Sequence, residues 1–300
     1  TANSADAEDA GRRVDRFADA LAGIRARGTR LVWTVHNVLP HLTTWPALEV
    51  SLREGVIARA DIVHVLSIET IAAAAPFYEI PTSKVLHLPH PAYLGVYPDD
   101  VSDAEARTRL GIGPDDVVFG IVGSLQPYKG IDDLLDAFES VVADPPDKRR
   151  RRLLIAGMPA ADPAMEALLE RAGAHPDVIL MARRIGSDEL SVPLRASDVI
   201  VLPYRASLNS GALMLALTFG RPVIAAASPH VTETVGPEAA ITFEAGDRDA
   251  LEHALRNADR LLTGEARSVA LATAERYDPG EISATYARAL RERFGVGAGG

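Results

Sequence analysis

The chain has 300 residues, a hydrophobic content of 47%, no cysteine and a formal net charge of −10. This length and composition allow a substantial core in one or two α/β domains. The lack of cysteine excludes disulfides and thiolate metal sites, and the negative charge argues against a general nucleic-acid binder. We find no secretory leader and no apolar run of about 18 residues, so we expect a cytoplasmic protein without a membrane span.

The first part of the chain alternates strands and helices, which is typical of a parallel sheet covered by helices. Helices are predicted at 14–25, 45–60 and 69–77, and strands at 31–35, 62–66 and 84–88. We interpret residues 1–95 as a short Rossmann-like domain. Residues 96–116 are rich in proline, glycine and polar residues, with one short helix near 103–110, and we interpret them as an interdomain connection.

The alternation then resumes and predicts a second doubly wound domain over residues 117–275. Its strands are predicted near 117–122, 153–156, 178–181, 199–202, 222–226 and 240–243. A terminal helix is predicted up to Phe294, and we expect residues 276–294 to pack back across the domains.

One basic run, Lys148 to Arg152, precedes the strand at 153–156. We interpret it as a solvated loop. The alternative is a peripheral contact with anionic lipid headgroups at the inner membrane face.

A strand, a polar loop and a helix make residues 199–225 a candidate phosphate site. Asn209 or Ser210 can cap a helix that begins with Gly211 and Ala212. Backbone N–H groups and the helix dipole at such an end favour an anion. The alternative is an ordinary strand–helix crossover.

A second strand–loop–helix segment, 117–138, carries Gly123 at the strand end and Lys129 in the loop. A lysine there is well placed to meet an anion, although a Lys-Gly pair is also common in plain turns. The glycine spacing matches neither the dinucleotide fingerprint nor the P-loop.

Together the two segments resemble the nucleotide-sugar half of family 4 glycosyltransferases. The motif G-x-L-x-x-x-K-G begins at Gly123, and P-Y…S-G-x-x-x-x-A-x-x-x-G-x-P-V-I begins at Pro203. Trp33 to Asn37 is similar to the family's acceptor-side strand that ends in histidine. The resemblance implies a GT-B fold, with two Rossmann-like parallel-sheet domains facing a cleft, and it spans residues 30 to 292.

The resemblance further implies sugar transfer from a nucleoside-diphosphate sugar to a glycan or lipid-linked acceptor, in polysaccharide or glycolipid assembly. It implies a metal-independent, retaining reaction without a cofactor other than the donor. Lys129 and His36 are the candidate catalytic residues. The donor-binding candidates are Gly123, Ser124, Lys129, Arg205, Ser210, Gly211 and Ala212. His41 and His90 are weaker candidates, and Arg183 and Arg184 lie where the family reads the base.

Three departures from the family pattern stand out. Ser124 replaces an arginine, and we hypothesise that Arg205 supplies the missing charge. The E-x7-E motif falls on Ser207 and Leu215, neither of them acidic, in a loop of the S-G-A type. Fewer residues precede His36 than in the family, so we expect the first domain to be truncated, most simply as a fragment, because lost strands would leave an unpaired sheet edge.

These departures leave two other functions open. One is a non-catalytic GT-B module that binds a nucleotide sugar or a partner chain. The other is a GT-B epimerase that acts on a UDP-sugar.

Overall fold

The computed structural model describes residues 4–40, 43–206 and 208–295. The chain divides into two compact units, Thr1–His90 and Pro91–Gly300. Each unit has its own parallel sheet.

The first unit contains a three-stranded parallel sheet in the order β1-β2-β3. Its strands are β1 (Val32–Val35), β2 (Ile62–Val65) and β3 (Val85–His87), and its helices are α1 (Ala7–Ala26), α2 (Pro46–Arg59) and α3 (Thr70–Ala74). Apolar side chains of β1, β2 and α2 form its core, among them Val35, Ile57 and Val63. The predicted strands are therefore confirmed to within two residues at each end.

The second unit contains a six-stranded parallel sheet in the order β6-β5-β4-β7-β8-β9. Its strands are β4 (Val117–Val122), β5 (Arg151–Ala156), β6 (Val178–Met181), β7 (Val199–Leu202), β8 (Val223–Ala226) and β9 (Ala240–Phe243). Every residue of β4, β5, β7 and β8 is buried. Such continuous burial means that helices cover both faces of the sheet, which is why these strands are apolar without alternation.

Nine helices surround this sheet in the part of the chain that the structure describes. They are α4 (Asp103–Arg109), α5 (Ile131–Ala143), α6 (Pro163–Ala174), α7 (Ser191–Ala196), α8 (Gly211–Thr218), α9 (Pro229–Thr234), α10 (Arg248–Arg256), α11 (Gly264–Glu275) and α12 (Pro279–Phe294). Helix α5 buries Leu134, Leu135 and Phe138 on one face, at the spacing that the sequence indicated.

The segment expected to be an interdomain connection, 96–116, belongs to the second unit. Helix α4 lies within it, and its Ala106 packs with Val101 and Ile112 against the sheet residue Val118. The segment therefore contributes to a core, which its polar composition did not predict.

An ion-pair network also ties α4 to the second unit. Asp198 accepts hydrogen bonds from Arg107 (2.6 Å) and Arg267 (2.8 Å). Asp103 accepts from Arg267 (2.6 Å) and from Arg221, whose side chain is 1% exposed. These carboxylates join α4, α11 and the segment before β7.

The interpretation of the basic run as a solvated loop is wrong for its last two residues. Arg151 and Arg152 begin β5 and are only 3% and 9% exposed. Asp147 pairs with Arg149 and Arg151, and Asp116 lies 3.7 Å from Arg152. Because carboxylates neutralise these guanidinium groups, the run is not a free basic patch.

The strand order places a topological switch point beside β4. Chain connections lead from β4 towards β5 and β6 on one side, whereas β7, β8 and β9 follow on the other side. In open α/β sheets, ligands bind at the carboxyl ends of the strands at such a point. The two segments singled out in the sequence both leave the sheet there.

Candidate functional site

Two glycines bring the ends of β4 and β5 into close contact. Gly123 has φ +123° and donates its N–H to the carbonyl of Ala156 (2.9 Å). Gly157 has φ +153°, and a Cβ there would stand 1.6 Å from the carbonyl oxygen of Gly123. Any side chain at residue 157 would therefore force the two loops apart.

Lys129 lies on a 3₁₀ turn, Pro127–Lys129, directly after the β4 loop. Its side chain is 6% exposed, and its Nζ lies 3.3 Å from the position a Cβ would take on Gly123. No carboxylate among the described residues pairs with it. Burial lowers the pKa of Lys129 from 10.5 to about 8.

Tyr204, directly after β7, supplies the other side of the Lys129 environment. The Lys129 Nζ lies over the Tyr204 ring at 5.3 Å from the centroid. The ring of Tyr128 meets Tyr204 edge-on at 6.1 Å. Tyr204 is 7% exposed, and burial raises the pKa of its phenol. The ammonium is thus held between a glycine and an aromatic face.

The turn that carries Lys129 is fixed against the end of β7. Gly130 has φ +64°, and a Cβ there would stand 2.3 Å from the carbonyl oxygen of Pro203. The N–H of Arg205 donates to the carbonyl of Tyr128 (2.9 Å). A glycine at 130 is required for this approach, and the approach sets the position of Lys129.

Helix α8 begins next to this cluster, as predicted, and the structure shows that Ser210 is its cap. The Ser210 Oγ accepts the N–H of Leu213 (3.1 Å). The N–H groups of Gly211 and Ala212 have no acceptor among the described residues, and the helix dipole adds partial positive charge there. Ser210 and Tyr204 both line a cavity of about 240 Å³.

Arg205 is paired with carboxylates of α5 rather than exposed as an isolated cation. Its Nη2 donates to Asp132 and Asp133, both at 2.6 Å. Hydrogen bonding to Asp132 raises the pKa of the Arg205 guanidinium. The hypothesis that Arg205 replaces the missing arginine therefore has an alternative. In this alternative, Arg205 neutralises the two carboxylates at the start of α5.

The remaining donor-site candidates differ in their surroundings. Ser124 is exposed at the rim of the β4 loop, and Leu215 lies inside α8. Ser207 lies outside the described residues. Arg183 pairs with Glu189 (2.7 Å), whereas Arg184 is exposed without an ion-pair partner in the described part of the chain.

The histidine candidates belong to the first unit. His36 is exposed and directly follows β1, and His90 is the last residue of that unit. A further histidine, His64 on β2, is half-buried. Its ring forms hydrogen bonds of 3.1 Å each, through Nδ1 with the Thr34 hydroxyl and through Nε2 with the Leu88 carbonyl. Burial, with His36 as a further cause, lowers the pKa of His64. His41 lies outside the described residues.

Among the described residues, no group of three histidine or acidic side chains is arranged to hold a metal ion. None of the helices described has the length and apolar character that crossing a membrane requires.

The sequence interpretation did not identify Tyr204, Gly130 or Gly157 as parts of the site. Gly157 repeats, after β5, the position that Gly123 has after β4, and that repetition is a signal. Tyr204 belonged to a quoted motif, but nothing in its letters shows which residue its ring faces.

Residues 116–258 match the family described as Glycosyl transferases group 1. A GDP-mannose:glycolipid 4-beta-D-mannosyltransferase from Xanthomonas campestris pv. campestris is 33% identical over 237 residues, which cover 77% of this chain and 60% of that protein. The chain thus spans about 60% of the length of this curated relative.

Two solved structures are similar over nearly the whole chain. Sucrose-phosphate synthase from Thermosynechococcus elongatus has a TM-score of 0.76 at 19% identity, covering 96% of this chain and 79% of that one. HepE from Anabaena, in complex with UDP-glucose, also has a TM-score of 0.76, at 17% identity, covering 95% and 82%. These likenesses confirm the predicted α/β, parallel-sheet fold of the GT-B class.

Proposed function

We propose that this chain transfers a sugar from a nucleoside-diphosphate sugar to an acceptor hydroxyl, since residues 116–258 match the family described as Glycosyl transferases group 1. The observation that carries the proposal is Lys129, a buried ammonium without a carboxylate partner among the described residues. Its Nζ lies beside Gly123 at the end of β4 and over the Tyr204 ring, and Tyr204 lines a cavity together with Ser210, the cap of α8. A cation and free N–H groups at one edge of a sheet suit a diphosphate.

The chemistry requires stabilisation of the leaving group. The bond between the sugar C1 and the diphosphate oxygen breaks, and its electron pair stays on the nucleoside diphosphate, so negative charge grows there. Lys129 supplies a compensating charge, and the N–H groups of Gly211 and Ala212 supply hydrogen bonds. Removal of one such preorganised donor typically costs about 3 kcal/mol of transition-state stabilisation.

The acceptor hydroxyl then forms the new bond to C1 and loses its proton. In the mechanism we favour, an oxygen of the leaving phosphate takes this proton, and the configuration at C1 is retained. The scheme needs no metal ion. His36 is the candidate contact to the transferred sugar or the acceptor from the first unit.

The names of two similar proteins support a choice of donor and acceptor class. The mannosyltransferase relative is named for GDP-mannose and a glycolipid, and the HepE structure contains UDP-glucose. We propose a GDP- or UDP-sugar as donor and a glycan or lipid-linked acceptor, as in polysaccharide or glycolipid assembly. A lipid-linked acceptor would place the protein peripherally at the inner membrane face.

The first experiment is calorimetric binding of UDP, GDP, ADP and dTDP, and then of their common sugar conjugates, to the chain and to Lys129→Met. Lys148→Met is the matched control, because Lys148 is exposed. We expect base-selective binding that Lys129→Met weakens at least tenfold and the control leaves unchanged. Equal affinity of Lys129→Met and the control would contradict the proposal.

Turnover separates the proposal from its alternatives. Release of the nucleoside diphosphate that depends on an added acceptor supports transfer. Binding without turnover with any acceptor supports the non-catalytic module, and isomerisation of the sugar without an acceptor supports the epimerase.

A further inference from the structure

Lys129 is an unusual buried cation because no charged side chain among the described residues pairs with it. The guanidinium of Arg205, in the loop after β7, donates hydrogen bonds to both Asp132 and Asp133 of α5, so these three charges pair with each other. The first turn of α8 has no charged side chain, and the β4 loop contributes Gly123 and Ser124. Burying an ammonium without a partner is costly, so something else must hold it.

The aromatic ring of Tyr204 faces the Lys129 ammonium and takes the place of a charged partner. The Nζ of Lys129 lies 5.3 Å from the ring centroid, within the range in which an aromatic quadrupole attracts a cation. The ring is itself fixed, since it is 7% exposed and meets Tyr128 edge-on. A buried ring with such contacts has little freedom to move away from the ammonium.

We propose that Tyr204 is a positioning residue, whose ring face holds the Lys129 ammonium at the end of β4 without neutralising it. This inference rests on the proposed function, because the charge that is kept available is the one offered to the donor diphosphate. A carboxylate in place of the ring would hold Lys129 as firmly. It would also cancel the charge and compete with the phosphate oxygens for it.

The arrangement makes donor binding dependent on pH. Burial lowers the pKa of Lys129 to about 8, so the ammonium loses its proton as the pH rises through that value. The facing aromatic groups are Tyr204 and Tyr128, and burial raises the pKa of both, so neither titrates in this range. Affinity for a nucleoside diphosphate should therefore fall between about pH 7 and pH 9 as Lys129 becomes neutral.

The test replaces Tyr204 by phenylalanine and by phenylalanines that carry one, two and three ring fluorines. Fluorine withdraws electron density from the ring face but leaves the shape of the side chain nearly unchanged. The Tyr204 hydroxyl interacts with Ser210, and every member of the series lacks it, so Tyr204→Phe is the reference to which the fluorinated side chains are compared. A role in packing alone would not respond to the number of fluorines.

Two readouts follow the series in the full chain. The first is the titration of Lys129 by NMR with lysine labelled at Cε, in a chain whose three lysines are Lys84, Lys129 and Lys148. The signal of Lys129 is assigned as the one missing in Lys129→Arg. The second is the Kd for UDP and GDP at pH 7 and pH 9.

We expect the titration midpoint of Lys129 to move down by about one pH unit across the series. The Kd at pH 7 should rise by about 2-fold to 30-fold. A midpoint and a Kd that do not change with fluorination would overturn the role of Tyr204, even if the donor binds. If no nucleoside diphosphate binds, the proposed function fails, and the NMR midpoint alone decides whether the ring holds the ammonium.

Discussion

Gly130 lies so close to Pro203 that a Cβ on the glycine would stand 2.3 Å from the proline carbonyl oxygen. The contact joins the turn before α5 to the end of β7, and Lys129 is the residue immediately before the glycine. The position of the candidate catalytic ammonium therefore depends on a residue that has no side chain.

Gly130→Ala should disturb both stability and donor binding. The substitution combines the clash with Pro203 and a φ of +64°, which an alanine adopts at a cost of about 1–2 kcal/mol. We expect a loss of more than about 2 kcal/mol in the free energy of unfolding, measured in urea, and weaker nucleotide binding. Gly264→Ala is the control: no atom lies within 4 Å of its Cβ position at the start of α11, so its stability should change little.

Lys129→Met should stabilise the second unit at pH 7 while it impairs donor binding. The folded pKa of about 8 lies below the unfolded value of 10.5, so burial of the ammonium costs about 3 kcal/mol wherever both states are protonated. Between pH 8 and 10.5 only the unfolded chain keeps the proton, and stability therefore rises with pH in that window.

Urea denaturation at pH 7 and pH 10 checks this. The stabilisation by Lys129→Met should be about 1–3 kcal/mol at pH 7 and should shrink at pH 10. Lys148→Met should show no such dependence. A Lys129→Met chain that is less stable than the wild type at pH 7 would show that the ammonium is better solvated than its burial indicates.

Arg205→Gln should weaken donor binding because it leaves Asp132 and Asp133 without their shared cation. We expect roughly a threefold to tenfold rise in Kd, since Arg205 is partly exposed and screening limits the effect. Asp132→Asn combined with Asp133→Asn should then restore most of the affinity.

The triple variant separates two roles of Arg205. Restored affinity would mean that Arg205 acts by neutralising the two acids. Affinity that stays low would instead support the hypothesis that its guanidinium contacts the diphosphate. The full set of single and combined variants gives the coupling energy directly.

Asp103→Asn should destabilise the second unit, because Asp103 is the hydrogen-bonded partner of the buried Arg221. Loss of a charge that pairs with a buried guanidinium costs about 3–5 kcal/mol. Asp99→Asn is the matched control, since Asp99 pairs with the partly exposed Arg195, and its cost should stay below about 1 kcal/mol.

The Asp103 carboxylate also makes the stability of the second unit depend on pH in the acidic range. Partial burial raises the pKa of Asp103, but hydrogen bonds from Arg221 and Arg267 outweigh this and hold it below 3.8. A lowered carboxyl pKa adds stability above the unfolded pKa, and this stability is lost as the pH falls through the folded pKa. Unfolding followed between pH 6 and pH 2 should therefore show a shallower decline in Asp103→Asn.

The strands of both units could be predicted because they depend on local sequence. Runs such as Val199–Leu202 and Val223–Ala226 are apolar, short and bounded by proline or glycine. The sequence limits the N-cap of α8 to Asn209 or Ser210, and the structure shows that it is Ser210. Gly123 and Lys129 were chosen as candidates from motif spacing, and the structure brings them together.

What the sequence did not predict depends on contacts between distant segments. Arg152, the second residue of β5, is buried with Asp116, 36 positions earlier in the chain, 3.7 Å from its guanidinium group. Tyr204 and Lys129 are 75 positions apart, and only the parallel pairing of β4 with β7 brings them together. The core residues of 96–116 could not be predicted either, because they are few and are separated by charged side chains.

Residues 91–116 pack as part of the second unit, and this determines where the chain can be cut to separate the two units. A protease that cuts inside this segment would not release an intact second unit, because Val101, Ala106 and the partners of Arg221 and Asp198 would be separated from it. A gene fragment that starts at residue 117 should likewise yield an aggregation-prone product, whereas one that starts at Pro91 keeps the whole unit together. Domain exchange between this chain and its relatives therefore needs its junction next to His90.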